Sequence, residues 1–402
     1  MKFASRVAGI SASPTMAVMQ EAQELRKQGV DIIDFGPGEP DFPTPQPIKQ
    51  AGIDAIHGDF THYTPSAGIQ ELRQAVADRY NREWGSGFTA ANVAITCGAK
   101  HAIYGLCTSL FEKGQEVLIP SPYWVTFPEV VKISGAAPVD VAAEEENDFI
   151  LRAEDVQAAL SPRTRGVIVN TPNNPTGAVI PGKTIEDLLA LGREKGCFFL
   201  FDETYEYFTY GNRQHVSAAS FVKPSDGCFA IVSSVSKTYA MTGWRIGYCV
   251  ANRDLIAKIS ELQSHATGNP TSIAQKAALA AVQSSAELVQ DMKEEYASRR
   301  EFVLDYLSQI PGFSCARPGG AFYVFPNVSR CLEATGLADS QEFARFLIQQ
   351  ARVSTVPGSA FGCEGYIRIS YATSLKKLEE GLSRIKDAVS ASSSRSVSDP
   401  AS

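Results

Sequence analysis

Over residues 93–251 the chain repeats one pattern: a short apolar run, a loop carrying unusual polar residues, then a segment with helical spacing. The runs at 93–96, 116–119, 138–141, 166–170, 197–201, 229–232 and 246–251 read as strands. Several are apolar at successive positions, which suits strands covered on both faces, and strands separated by helices join most simply in parallel. The pattern therefore predicts an α/β protein with a mostly parallel sheet between helical layers. Ligands of such sheets bind beyond the carboxyl ends of the strands, so the loops at that edge are where chemistry is sought.

The flanks differ. Upstream, helices are expected at 16–28, 47–56 and 69–84, a short strand at 31–35, and loops at the Gly- and Pro-rich 36–43 and at 62–68. Downstream, one long helix is expected from 273 to about 309, then strands at 321–324 and 367–371 of a second, smaller unit, a helix at 340–351 between them, and a last helix at 375–389. Residues 390–402 hold seven serines and no aromatic residue and are expected to be a disordered tail. No internal repeat is visible.

With 402 residues the chain can build two or three domains, and 44% apolar with 20% charged content is that of a soluble globular enzyme. A net charge of −7 with no basic block argues against nucleic acid as a partner. No apolar run approaches the roughly 20 residues of a membrane span, and residues 1–6 lack the apolar core of a signal peptide. The eight cysteines are scattered, with no Cys-x-x-Cys pair, and read as small buried side chains in a reducing compartment. A cytoplasmic protein is expected.

Several strand-edge residues carry chemistry. Lys237, just past the run at 229–232, can lose its proton in apolar surroundings and attack a carbonyl, although most lysines at strand ends are solvated. Arg245, eight residues on, can hold a phosphate. Gly98-Ala99-Lys100 opens a helix whose free N–H groups favour a phosphate; a plain turn is the alternative. Asp202 ends an apolar strand and needs a cationic or N–H partner, which a pyridinium nitrogen, an N-cap or an ion pair would each supply. Trp124 can stack on a planar ring or pack in the core. Asn174 and Tyr205 can each hydrogen-bond a phenolic oxygen. Together these groups suit a phosphorylated aromatic aldehyde bonded to a lysine, which is pyridoxal 5′-phosphate.

Five motifs carry a resemblance: Tyr63-x-Pro65-x-x-Gly68, Ser121-Pro122-Tyr123-Trp124, Asn173-Asn174-Pro175-Thr176-Gly177, Asp202-Glu203-x-Tyr205, and Ser236-Lys237-Thr238 followed by Gly243-Trp244-Arg245-Ile246-Gly247. In order and spacing, from about residue 15 to 389, the chain resembles class I aminotransferases of fold type I, most closely the bacterial aspartate-specific branch. The resemblance implies a seven-stranded sheet in a large cofactor domain (48–285), with a smaller α+β domain drawn from both chain ends (1–47 and 286–389). It implies that Lys237 binds the cofactor covalently and moves the substrate α-proton, that Asp202 keeps the ring nitrogen protonated, and that Asn174 and Tyr205 bond the phenolic oxygen. Trp124 would stack on the ring, and Gly98, Ala99, Ser234, Ser236 and Arg245 would surround the phosphate. Tyr63 would reach the phosphate of a neighbouring subunit, so the active unit would be a homodimer with shared sites.

By the same resemblance Arg368 would clamp the substrate α-carboxylate, with Gly38 closing over it, and Lys100 with Thr15 would meet a distal carboxylate. The implied activity is ping-pong transfer of the amino group of L-aspartate to 2-oxoglutarate through pyridoxamine phosphate. Prephenate or aromatic amino acids stay open as donors: Thr64 also occurs in relatives that accept prephenate, but Glu144-Glu145-Glu146 offers no cation for it. A lyase or decarboxylase using the same cofactor, or a regulatory protein on the same fold, are the other readings. One residue departs from the family pattern: Thr204 stands where an apolar side chain is usual behind the ring.

Overall fold

A computed structural model describes residues 3–10 and 14–397. The repeating segment forms one seven-stranded sheet. We number its strands β1 (Val93–Thr96), β2 (Glu116–Ser121), β3 (Ala137–Ala142), β4 (Thr164–Asn170), β5 (Phe198–Asp202), β6 (Phe229–Ser234) and β7 (Gly247–Ala251). Their spatial order is β1-β7-β6-β5-β4-β2-β3, and only β7 runs antiparallel to its neighbours.

The apolar runs are continuous because alternate residues enter two different cores. Ala94, Val117, Ile168, Leu200 and Cys249 face helices Ala99–Leu110, Thr126–Ser134 and Arg253–Ala266. Their neighbours Ile95, Leu118, Val167, Phe199 and Val250 face helices Gln70–Trp84, Gly182–Lys195 and Ser272–Gln283. Burying a phenylalanine such as Phe199 or Phe201 contributes about 1.5–3 kcal/mol, so the central strands are held chiefly by this double burial. Edge strand β3, covered less, shows mixed burial.

The second unit is a three-stranded antiparallel sheet in which Ile367–Ser370 lies between Val356–Pro357 and Tyr323–Val324. The upstream segment joins it: Ile33–Asp34 pairs in parallel with Val353–Ser354, and the Ser370 N–H donates to the Phe35 carbonyl at 2.9 Å. That bond draws the Gly- and Pro-rich loop after Phe35 across the carboxyl edge of the large sheet.

Two expectations need correction. The long helix expected over 273–309 is two helices, Ser272–Gln283 and Gln290–Leu307, with a tight turn at Ala286–Val289. Ser284 breaks the first by turning its hydroxyl onto the Ala281 carbonyl, a local bond that competes with the helix. The last helix does not stop at 389 but runs over Leu375–Val397, into the segment expected to be disordered. Leu378, Leu382, Ile385 and Val389 anchor one face of it, and the Ser and Ala residues beyond extend it because each added residue gains a backbone bond. Residues 398–402 lie outside the described part. No described helix is long and apolar enough to cross a membrane.

Candidate active site

A cavity of about 410 Å3 opens at the carboxyl edge of the large sheet, between it and the second unit. The ends of β4, β5 and β6 deliver Asn170, Asp202 and Ser234 to its floor. Ser236 and Lys237 follow on the single helical turn after β6, and Arg368 enters from the middle strand of the small sheet. Gly38, Ala99, Lys100, Trp124, Asn174, Tyr205 and Arg245 also line it, so most side chains singled out from the sequence meet here.

Two residues do not. Tyr63 is 97% exposed and does not line the cavity of its own chain. The side chain of Thr15 falls outside the described residues, although its backbone belongs to helix Pro14–Lys27.

At one end two glycines let three chain segments meet. Gly98, at φ +88°, precedes helix Ala99–Leu110, and a Cβ there would lie 2.6 Å from the Arg245 guanidinium. A Cβ on Gly247 would lie 2.3 Å from the Ala99 nitrogen. The result is a small cradle in which the open N–H groups of a twelve-residue helix, the Ser234 and Ser236 hydroxyls and Arg245 converge. Arg245 is held by its own bond to the Thr242 carbonyl at 2.9 Å.

In the centre, Lys237 is partly buried and its Nζ donates to the Gly38 carbonyl at 2.5 Å. Burial pushes its ammonium down to about 8, with Glu39 opposing and Arg368 and Arg245 assisting. That raises the neutral amine at pH 7 by about 300-fold over an exposed lysine. Asp202 is 4% exposed, and its Oδ1 accepts the Thr204 N–H at 3.1 Å. Burial pushes its carboxyl up to about 6, against the pull of Thr204 and Lys237.

At the far end Arg368 is buried between the rings of Tyr323 (4.5 Å) and Phe361 (5.1 Å). Its nitrogens donate to the Asn174 Oδ1 at 2.9 Å and the Gly36 carbonyl at 2.6 Å, while Nε has no partner. Asn174 is itself set by Asn170, whose Oδ1 accepts its N–H at 2.8 Å. Tyr205 shares a 2.8 Å hydroxyl contact with Tyr323, and burial raises the phenols of both. Lys100 is exposed, stands 4.9 Å over the Trp124 ring, and its ammonium is pushed down by partial desolvation and then by Arg245.

Asn170 and Tyr323 were not singled out from the sequence. A polar residue closing an apolar strand was the available signal for Asn170; Tyr323 gives none locally, because only the docking of the two units brings it to Tyr205. The electrostatic balance of the lining is one-sided: among the described residues, Lys100, Lys237, Arg245 and Arg368 line the cavity with a single carboxylate, Asp202, and no ion pair joins any of the five. Only Arg368 and Asp202 of the five are buried, but a cavity lined by four cations and one carboxylate, none of them ion-paired, calls for an anionic ligand that also brings one cationic group to Asp202.

Known proteins are similar to this chain over nearly its whole length. The aspartate aminotransferase of Geobacillus stearothermophilus is 44% identical over 388 residues, 96% of this chain and 98% of its own. A relative from Aquifex aeolicus, named a probable aspartate/prephenate aminotransferase, is 42% identical over 389 residues, again 96% of this chain and 98% of the relative. The solved structure of aspartate aminotransferase from Thermus thermophilus with maleate matches with a TM-score of 0.90 at 37% identity, covering 96% of this chain and 100% of that one. Residues 30–385 match the family profile described as aminotransferase class I and II, and the lysine, carboxylate and arginines converge in one cavity within that span. The chain belongs to the class I and II aminotransferases.

Proposed function

We propose that the protein is an aspartate aminotransferase that uses pyridoxal 5′-phosphate, moving the amino group of L-aspartate to 2-oxoglutarate and giving oxaloacetate and L-glutamate. The observation that carries this reading is the cavity's charge: four cations, one buried carboxylate and no ion pair among them. A phosphate and a dicarboxylic substrate supply the missing anions, and a protonated ring nitrogen supplies the missing cation. The names of all three compared proteins support the substrate, and maleate is itself a dicarboxylate.

The residues fit the cofactor. Gly98, Ala99, Ser234, Ser236 and Arg245 would hold its phosphate, with Tyr63 of a second copy completing the cradle. Asp202 would face the ring nitrogen, Trp124 a ring face, and Asn174 and Tyr205 the phenolic oxygen. When bound, pyridoxal phosphate supplies an aldehyde that takes up the amino group and a ring that accepts the electrons of the α-carbon. Lys237 Nζ, whose ammonium is already easily deprotonated, would hold the cofactor through its aldehyde and take the substrate α-proton. Arg368 pairs with the α-carboxylate through its planar fork, exchanging the Gly36 and Asn174 bonds it makes now. Lys100 and Thr15 meet the distal carboxylate, and Gly38 closes over the substrate.

A homodimer is part of the proposal, since Tyr63, 97% exposed on its own subunit, would gain a role at another subunit's site. Cytoplasmic residence is supported by eight cysteines that are all free. The Aquifex relative's name favours one second reading, prephenate as an additional donor. A half-reaction screen with single amino acids, followed by the cofactor spectrum and by product analysis, tests the whole. Aspartate and glutamate should convert the cofactor fastest, giving oxaloacetate and 2-oxoglutarate; ammonia or pyruvate from aspartate would overturn transamination in favour of a lyase.

A further inference from the structure

Thr204 lies two residues beyond Asp202, on the loop after β5, and lines the same cavity. Its side chain is 7% exposed, and its hydroxyl is buried with no hydrogen-bond partner. A buried hydroxyl without a partner is costly, and valine has almost the same shape without that cost. Packing therefore does not account for the hydroxyl. Its surroundings do: the Thr204 N–H already binds Oδ1 of Asp202, and the hydroxyl lies beside the same carboxyl, close enough to favour its ionised form without completing a bond. The other charges acting on Asp202 are Glu203, which opposes ionisation, and Lys237, which favours it.

We infer that Thr204 is a positioning residue for the reaction, its hydroxyl donating to the Asp202 carboxylate so that the proton shared with the cofactor's ring nitrogen stays on nitrogen. The inference rests on the proposal that pyridoxal phosphate binds here. A carboxylate that already accepts two hydrogen bonds is a weaker base than one that accepts one. In the contest for the proton between Asp202 and the ring, the second donor tips the balance to the ring. The ring draws electrons from the α-carbon best when protonated, so the hydroxyl acts on catalysis through Asp202 without touching substrate.

The test compares the wild-type holoenzyme with Thr204→Val, Thr204→Ala and Thr204→Ser, each loaded with pyridoxal phosphate labelled with nitrogen-15. The nitrogen chemical shift of the ring reports its protonation directly. Thr204→Val and Thr204→Ala should move it toward the unprotonated value and lower kcat about tenfold with little change in KM; Thr204→Ser should restore both. In the cofactor-free proteins, the infrared carboxyl band assigned by Asp202→Asn should persist to higher pH in the valine variant. An unchanged nitrogen shift in Thr204→Val and Thr204→Ala, or a serine variant that behaves like valine, overturns the role of the hydroxyl while leaving the cofactor assignment intact. A wild-type protein that takes up no pyridoxal phosphate overturns both.

Discussion

Two buried charge clusters share the loop after β5, and they have opposite designs. Asp202, Thr204 and Tyr205 face the cavity, whereas Glu203 and Glu206 turn the other way, toward Arg79 and His215. In the second cluster charge is met from within. Glu203 accepts from the Ser217 hydroxyl at 2.7 Å, the Ala218 N–H at 2.9 Å and His215 at 3.3 Å. Glu206 pairs with Arg79 at 2.7 Å and accepts from Ser233 at 3.0 Å, while Arg79 also reaches Glu83 at 3.1 Å. Glu203, Glu206 and His215 lie close enough together to suggest a metal site, yet both carboxylates already have partners and a guanidinium already supplies the positive charge. The contrast teaches that buried charge marks a ligand site only where the protein leaves it unmatched.

The largest expected difference is in activity. Lys237→Ala should lower kcat by about 10^2- to 10^4-fold in the half-reaction with aspartate, the scale of a lost proton-transfer group. Its melting temperature should not fall, because Lys237 gives up a single bond to Gly38. Arg79→Met should do the reverse. Removing one partner from a buried pair costs about 3–5 kcal/mol, read from urea unfolding, with kcat per folded molecule unchanged. A stable Arg79→Met protein would erase the distinction between the clusters.

Asp202 sharpens it further, with the opposite sign. Burial holds its carboxyl at about 6, above the roughly 3.9 of an unfolded chain. Between about pH 4 and 6 the folded, cofactor-free protein then binds more protons than the unfolded one. Its stability should therefore fall as pH rises through that window and level off above it. Asp202→Asn should abolish the slope and stabilise the cofactor-free protein at pH 7 by about 1–3 kcal/mol, measured by denaturant titration at several pH values. A destabilised Asp202→Asn would mean that this carboxylate, like Glu206, is matched from within. The smallest effect is expected at exposed Lys100. Lys100→Ala should raise KM for aspartate about tenfold, roughly 1.4 kcal/mol, and leave KM for alanine nearly unchanged.

Strand positions and the strand-edge residues were legible because both are local patterns. A continuous apolar run names a doubly covered strand, and a lysine, aspartate or arginine at its end is conspicuous. Element ends were less legible: the break at Ser284 depends on one hydroxyl turning to a carbonyl, and the helix through Val397 depends on apolar anchors up to Val389. Tyr323 could not be found at all, since it lies 118 residues from Tyr205 and meets it only when the small sheet docks.

Residue order alone settled the α/β class, the parallel sheet and the edge at which chemistry gathers, because strand and helix periods are properties of neighbouring residues. Which buried charges are spent and which are free was settled by the tertiary fold. Asp202 and Glu203 are adjacent carboxylates at one strand end, indistinguishable as a pair of letters. Successive residues of a strand point to opposite faces, so one carboxylate meets Ser217, Ala218 and His215 while the other faces a cavity ringed by cations. Folding gave the first its partners and left the second waiting for a ligand.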